Sequence, residues 1–210
     1  MRNWLLLLPL FAVAASAAPA TQLPAEWQPL AREVLAELIA LDTTHANGAS
    51  KASAAIAARL KAAGYADVDL VRDGIAPERQ NLVVRVHGSG KAKPVLLPVH
   101  LDVVDAKPSD WTVAPFTLTE KDGYFYGRGT TDIKEEAANF VVNLIRWKRE
   151  GWHPDRDLIF AFTDDEEGGS QQAGLEWLLE HRPELFAGVE LALNPDAGGA
   201  NLKAGKPVFF

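Results

Sequence analysis

Three apolar runs in this chain each end in a cluster of acidic or histidine residues, and a fourth such cluster opens a helix. The runs lie at 95–99, 158–162 and 189–193. The first is almost continuously apolar, as a strand covered on both faces of a sheet should be. Helical spacings alternate with these runs. Leu30, Val34, Leu35, Leu38 and Ile39 fall on one face of a helix over 26–41. Ala137, Phe140, Val141, Leu144 and Ile145 do the same over 133–149, which stops at Gly151. An alanine-rich helix fits 50–63, with Ser50 as its cap and Gly64 as its left-handed stop. A further helix is marked by Leu175, Leu178 and Leu179. Strands also fit 68–71 and 82–86, and the Lys121-Asp122-Gly123 turn predicts a hairpin. Strands alternating with helices predict an α/β fold: an open, mostly parallel sheet with helices on both faces. Sites in such sheets form beyond the carboxyl ends of the strands, which is where the clusters fall.

Length and charge narrow the function classes. The 210 residues suffice for one core with a small attachment. A net charge of -7 argues against a nucleic-acid partner, which requires a basic patch. Residues 1–20 read as a signal peptide: Arg2 supplies the positive end, positions 4–15 are apolar apart from Pro9, and small residues follow. The competing reading is an uncleaved anchor, although this apolar stretch is short for a bilayer. The expectation is an exported protein, periplasmic or secreted, without a stable membrane anchor. The chain contains no cysteine, so its core, with or without a metal, and not disulfides must hold it together. It ends at Pro207-Val208-Phe209-Phe210, which reads as the start of an apolar strand and suggests that residues 21–210 are the first portion of a longer catalytic domain.

Each cluster has a plain reading and a chemical one. His100-Leu101-Asp102 follows the first run, and residues i and i+2 of an extended segment face the same way. A metal-bound imidazole usually donates its other N–H to a carboxylate, so His100 as ligand with Asp102 orienting it is chemically sensible. A lone histidine at a strand end is more often structural. Asp132, at the end of Gly127-Arg128-Gly129-Thr130-Thr131-Asp132, stands where a helix begins and is either an N-cap or a carboxylate shared by two metals. Asp164-Asp165-Glu166-Glu167 places four carboxylates in a row after a buried strand, where a dication would offset their repulsion. The plain alternative is an exposed acidic loop. Asn194-Pro195-Asp196-Ala197-Gly198-Gly199 is a turn by composition. Taken together, one histidine and several carboxylates at successive strand ends are a ligand set suited to zinc.

In this order, His100-Leu101-Asp102-Val103-Val104, Gly127 to Asp132 with Lys134, Asp165 to Gly169, and Asn194 to Gly199 resemble the zinc amidohydrolases that include aminoacylase, carboxypeptidase G, succinyl-diaminopimelate desuccinylase and acetylornithine deacetylase. The likeness runs from about Glu26 to the end of the chain. It implies a zinc-exopeptidase-like catalytic domain, incomplete here, that uses two Zn2+ ions with Co2+ or Mn2+ able to substitute. By the same resemblance His100 and Asp196 bind one metal, Glu167 the other, and Asp132 bridges both. Glu166 is then the general base and Asp102 orients His100. The bond after Asp132 is often cis in such proteins. The implied substrate is a small peptide or an N-acyl amino acid, and the implied complete protein is a homodimer.

Two departures stand out. Asp105 replaces the usual proline after the first motif, and Pro195-Asp196 replaces a glutamate that often follows the asparagine. Members of the family are about twice as long, with a lid and dimerisation domain and a returning segment that brings a last histidine ligand. None of His45, His87, His153 and His181 stands in a context like that ligand. The competing expectation is therefore a catalytically inactive metal- or ligand-binding fragment.

Overall fold

The computed structural model describes residues 23–168 and 172–196, with the backbone of two further strands. The signal-peptide reading of 1–20, Gly169 and Ala197 to Gly199 of the motifs, and the final Phe210 lie outside the described residues. Helix α1 (Gln28–Ala40) and helix α2 (Ser50–Ala62) precede the hairpin of β1 (Leu70–Ala76) and β2 (Arg79–Val86). Strand β3 (Val95–His100), the small hairpin of β4 (Thr119–Lys121) and β5 (Tyr124–Tyr126), and α3 (Lys134–Glu150) follow. Then come β6 (Leu158–Thr163), α4 (Leu175–His181), β7 (Leu191–Ala192) and the strand pair β8 (Ala200–Lys203) and β9 (Lys206–Phe209).

The main sheet has the order β1-β2-β6-β3-β7. Strands β3, β6 and β7 pair in parallel, and β2 runs against both β6 and β1. Only β2 is therefore reversed, which is the open, mostly parallel sheet expected. Because neighbouring side chains on a strand face opposite ways, each strand divides its residues between two cores. Phe160 and Phe162 of β6 pack with Leu82, Val84 and Val99 against α1, α2 and α3. Ile159 and Ala161 pack with Val83 and Leu96 against Leu178 of α4 and Phe186. Both faces are thus covered. Among the described residues no helix is long and apolar enough to cross a membrane.

Three local expectations need correction. Ser50 does not cap α2: Ala49 occupies the cap position, and the Ser50 hydroxyl accepts a bond from Arg72 instead. The strand expected at 68–71 starts at Leu70, since Asp67–Asp69 form a 3-10 turn that leaves Val68 81% exposed. The run at 189–193 forms only the two-residue β7. It pairs with β3 at Leu191 and Ala192 alone, and as the last strand of the described sheet it leaves Leu191 and Leu193 exposed.

Lys134 anchors α3 and explains part of the motif that contains it. Its side chain is wholly buried, and Nζ donates to the carbonyls of Leu38 (2.9 Å) and Leu41 (2.8 Å) at the end of α1. Unpaired carbonyls at a helix end attract a cation. Burial lowers the ammonium to about 8, while the charges of Asp42 and Asp102 act the other way. Gly129 makes room for this side chain. Its φ is +89°, and a Cβ there would press on Lys134 and Val103.

Candidate metal centre

Four segments converge at one end of the sheet. β3 and β6 lie side by side with His100 opposite Thr163, so the loops that leave them start together. The Leu101 N–H donates to Thr163 O (2.7 Å), and Thr43 Oγ1 donates to Leu101 O (2.7 Å). The turn before α3 brings Asp132, whose bond to Ile133 is cis, and the turn after β7 brings Asp196.

His100 is buried (3% exposed), and Nδ1 lies 2.9 Å from the backbone carbonyl of Asp102. A carbonyl only accepts, so Nδ1 carries the proton and Nε2 of the neutral ring is left to bind a metal. Nε2 points at carboxylates: Asp132 at 3.1 Å, Asp196 at 3.6 Å and Glu166 at 3.8 Å. Burial alone would lower this imidazole. The Asp102 hydrogen bond and charge, with the charge of Asp196, outweigh it and raise the group to about 9. A metal at Nε2 would compete with a proton there. The donor atoms of His100, Asp132 and Asp196 lie within 4.8 Å of one another, and this is the one such group among the described residues. One nitrogen and two oxygens this close suit an ion with bonds of about 2.0–2.2 Å after a modest inward movement.

Asp102 does more than its expected task. Its side-chain oxygen is 3.5 Å from His100 Nδ1, farther than its own backbone carbonyl. The carboxylate instead receives the backbone N–H groups of Glu166 (3.1 Å) and Glu167 (2.9 Å). One buried residue thus sets the histidine through its main chain and the glutamate loop through its side chain. Burial works against ionisation of Asp102, but His100 and the two N–H groups hold it below the usual carboxylate range.

Of the predicted site residues, the fold gathers His100, Asp132 and Asp196, with Glu166 beside them. The Glu167 carboxylate is not in the three-ligand group among the described residues. Burial raises its carboxyl, and the charge of Asp132 adds to the effect. The reading of the acidic row needs revision: Asp164 and Asp165 turn away from the cluster to the buried Arg79, Nη1 of which is 3.4 Å from Asp164 and 3.8 Å from Asp165. Repulsion within the row is therefore answered partly by an arginine of β2, a residue with no motif to announce it. A cleft of about 340 Å³ opens beside the ligands, lined by Thr131, Asp132, Glu135, Glu136, Pro195 and Asp196. That volume is within the range of small-molecule sites.

Residues 96–205 match the model of Peptidase family M20/M25/M40. Among similar proteins, succinyl-diaminopimelate desuccinylase of Delftia acidovorans is 42% identical over 93 residues, which span 43% of this chain and 24% of that protein. The matched part of the chain thus spans only about a quarter of that relative's length. The dipeptidase Dug1p of Saccharomyces cerevisiae superposes with a TM-score of 0.71 at 21% identity, over 85% of this chain and 40% of that one. A dinuclear metal-binding peptidase of Bacillus subtilis superposes with a TM-score of 0.58 at 12% identity, over 80% of this chain and 43% of that one. At these identities the two structures speak for the fold.

Proposed function

This chain belongs to peptidase family M20/M25/M40, and on that premise we propose that it supplies the metal-binding part of a hydrolase that cleaves an amide bond in a small peptide or N-acyl amino acid. The observation that carries the reading is the convergence of His100, Asp132 and Asp196, with Glu166 alongside, at the end of β3 and β6. His100, Asp132 and Asp196 would hold one divalent ion, and Asp132 with Glu167 would contribute to a second. Zinc is the ion proposed, with Co2+ or Mn2+ as substitutes. A bound dication supplies Lewis acidity, which acidifies a water and polarises a carbonyl.

The protein's own groups do the rest. Asp102 keeps the His100 proton on Nδ1 and holds Glu166 by its main-chain N–H. Glu166 takes a proton from the attacking water and delivers it to the leaving amine, so one carboxylate serves as base and then as acid. The name of the desuccinylase relative supports a small amide substrate. We further propose export to the periplasm or exterior, and a homodimer for the full-length protein. A second reading, a chain that binds metal without turnover, is favoured by one fact: the described residues assemble a single three-ligand group.

Hydrolysis of a panel of N-succinyl and N-acetyl amino acids and dipeptides by the full-length protein separates these readings. The hydrolase reading expects activity on at least one class, loss on chelation and recovery when zinc is restored. Activity indifferent to chelation contradicts a metal mechanism. A zinc-loaded protein inert towards every amide supports binding without turnover.

A further inference from the structure

We propose that Arg79 and Asn81 of β2 are positioning residues that hold the Glu166 loop through Asp164 and Ala173, by bonds separate from those of Asp102. The proposal rests on the reading of Glu166 as general base. Both residues are buried, Arg79 4% and Asn81 0% exposed. They are two apart on one strand and so project to the same side.

Asn81 uses both ends of its amide. Its Oδ1 accepts the backbone N–H of Asp164 (2.9 Å), where the chain leaves β6, and its Nδ2 donates to the carbonyl of Ala173 (2.8 Å), where the described chain approaches α4. A single side chain therefore ties together residues that flank Glu166 and Glu167. Arg79 completes the hold. Nη1 lies 3.4 Å from both oxygens of Asp164, and Nη2 donates to the carbonyl of His45 (2.5 Å). Asp164 also accepts the Ala49 N–H (3.2 Å), and Asp165 accepts that of Ala173 (3.3 Å). Gly174 passes so close to the Asp164 carbonyl that a Cβ there would clash.

The physical consequence follows from where these bonds end. Asp102 fixes the N–H groups of Glu166 and Glu167, and Arg79 with Asn81 fixes the two residues before them. A peptide segment bonded at successive residues has little freedom to swing its carboxylate. Neither Arg79 nor Asn81 is within the metal-ligand group, so their loss should displace Glu166 while leaving His100, Asp132 and Asp196 in place.

The test uses the full-length protein with Arg79→Lys, Arg79→Met and Asn81→Ser, all conservative in size or charge. Hydrogen exchange of peptides covering 164–168 is read beside zinc per chain, kcat and KM. The expected result is faster exchange confined to that segment, retention of the zinc that His100, Asp132 and Asp196 would hold, little change in KM, and a kcat lower by about 100-fold, the loss that follows from misplacing a catalytic group by about 1 Å. Arg79→Lys should recover part of what Arg79→Met loses, because a lysine keeps the charge facing Asp164 but not the fork that reaches His45. Faster exchange throughout the molecule with unchanged kcat per zinc-loaded site would assign both residues to general stability and overturn the proposal. If the full-length protein hydrolyses no amide, the exchange data decide alone. Unaltered exchange at 164–168 in the variants would then refute the hold, whatever becomes of the hydrolase reading.

Discussion

Replacing Glu166 with glutamine lowers kcat of the full-length protein by about 10²- to 10⁴-fold, the range for loss of a positioned general base. The substitution keeps the size of the side chain and the main-chain N–H that Asp102 holds. The carboxylate that disappears lies 3.8 Å from His100 Nε2, next to the ligand group and outside it. Zinc content should therefore be unchanged, and the defect should reside in kcat with KM little affected. Kinetics on the substrate identified by the amide panel, together with elemental analysis of the same samples, make the comparison. A Glu166→Gln protein with near-normal kcat would remove this residue from proton transfer. A protein that loses its zinc as well would recast Glu166 as a ligand.

Asp102→Ala produces the second large effect, and it falls on binding and turnover together. The substitution removes the acceptor of two main-chain N–H groups and a carboxylate that lies 3.5 Å from His100 Nδ1. Loss of such a supporting partner typically costs about 10- to 100-fold in metal affinity. Release of the glutamate loop adds a loss in kcat that excess zinc does not repair. Asp102→Asn is the informative companion. It retains an oxygen for one N–H but gives up the charge, so it should fall between Asp102→Ala and the parent. Zinc affinity by competition with a chelating dye, and kcat at saturating zinc, distinguish the two parts. Full recovery of kcat by zinc alone would confine Asp102 to the histidine.

The residues that announce the site are those for which chemistry restricts identity. His100, Asp132, Glu166 and Asp196 each have a plain reading alone, but together they stand at successive strand and helix ends, and the fold brings them within reach of one another. The buried strands β3 and β6 were equally plain, because a run covered on both faces must be apolar throughout. What the sequence hid was the support. Arg79 and Asn81 lie outside the strand expected at 82–86, and only the folded chain shows that they meet Asp164. Lys134 stands in the second motif without a stated task, and its burial against the carbonyls of Leu38 and Leu41 is visible only once α1 is in place. Asp164 and Asp165 were misread for the same reason, since the arginine that meets them lies 85 residues earlier in the chain for Asp164. Strand length at β7 was misjudged because apolar composition at 189–193 says nothing about how many pairing partners the strand finds.

The central claim is that this fold assembles His100, Asp132 and Asp196 into a metal site, and zinc content per chain tests it most directly. The parent protein, His100→Ala and Asp132→Ala would be loaded with zinc, dialysed under mild conditions and measured by elemental analysis, with circular dichroism to verify folding. The account predicts about one or more tightly held zinc ions per parent chain, as for other assembled N/O sites, and loss from both folded variants. Zinc absent from a folded parent, or retained equally by all three proteins, would contradict it.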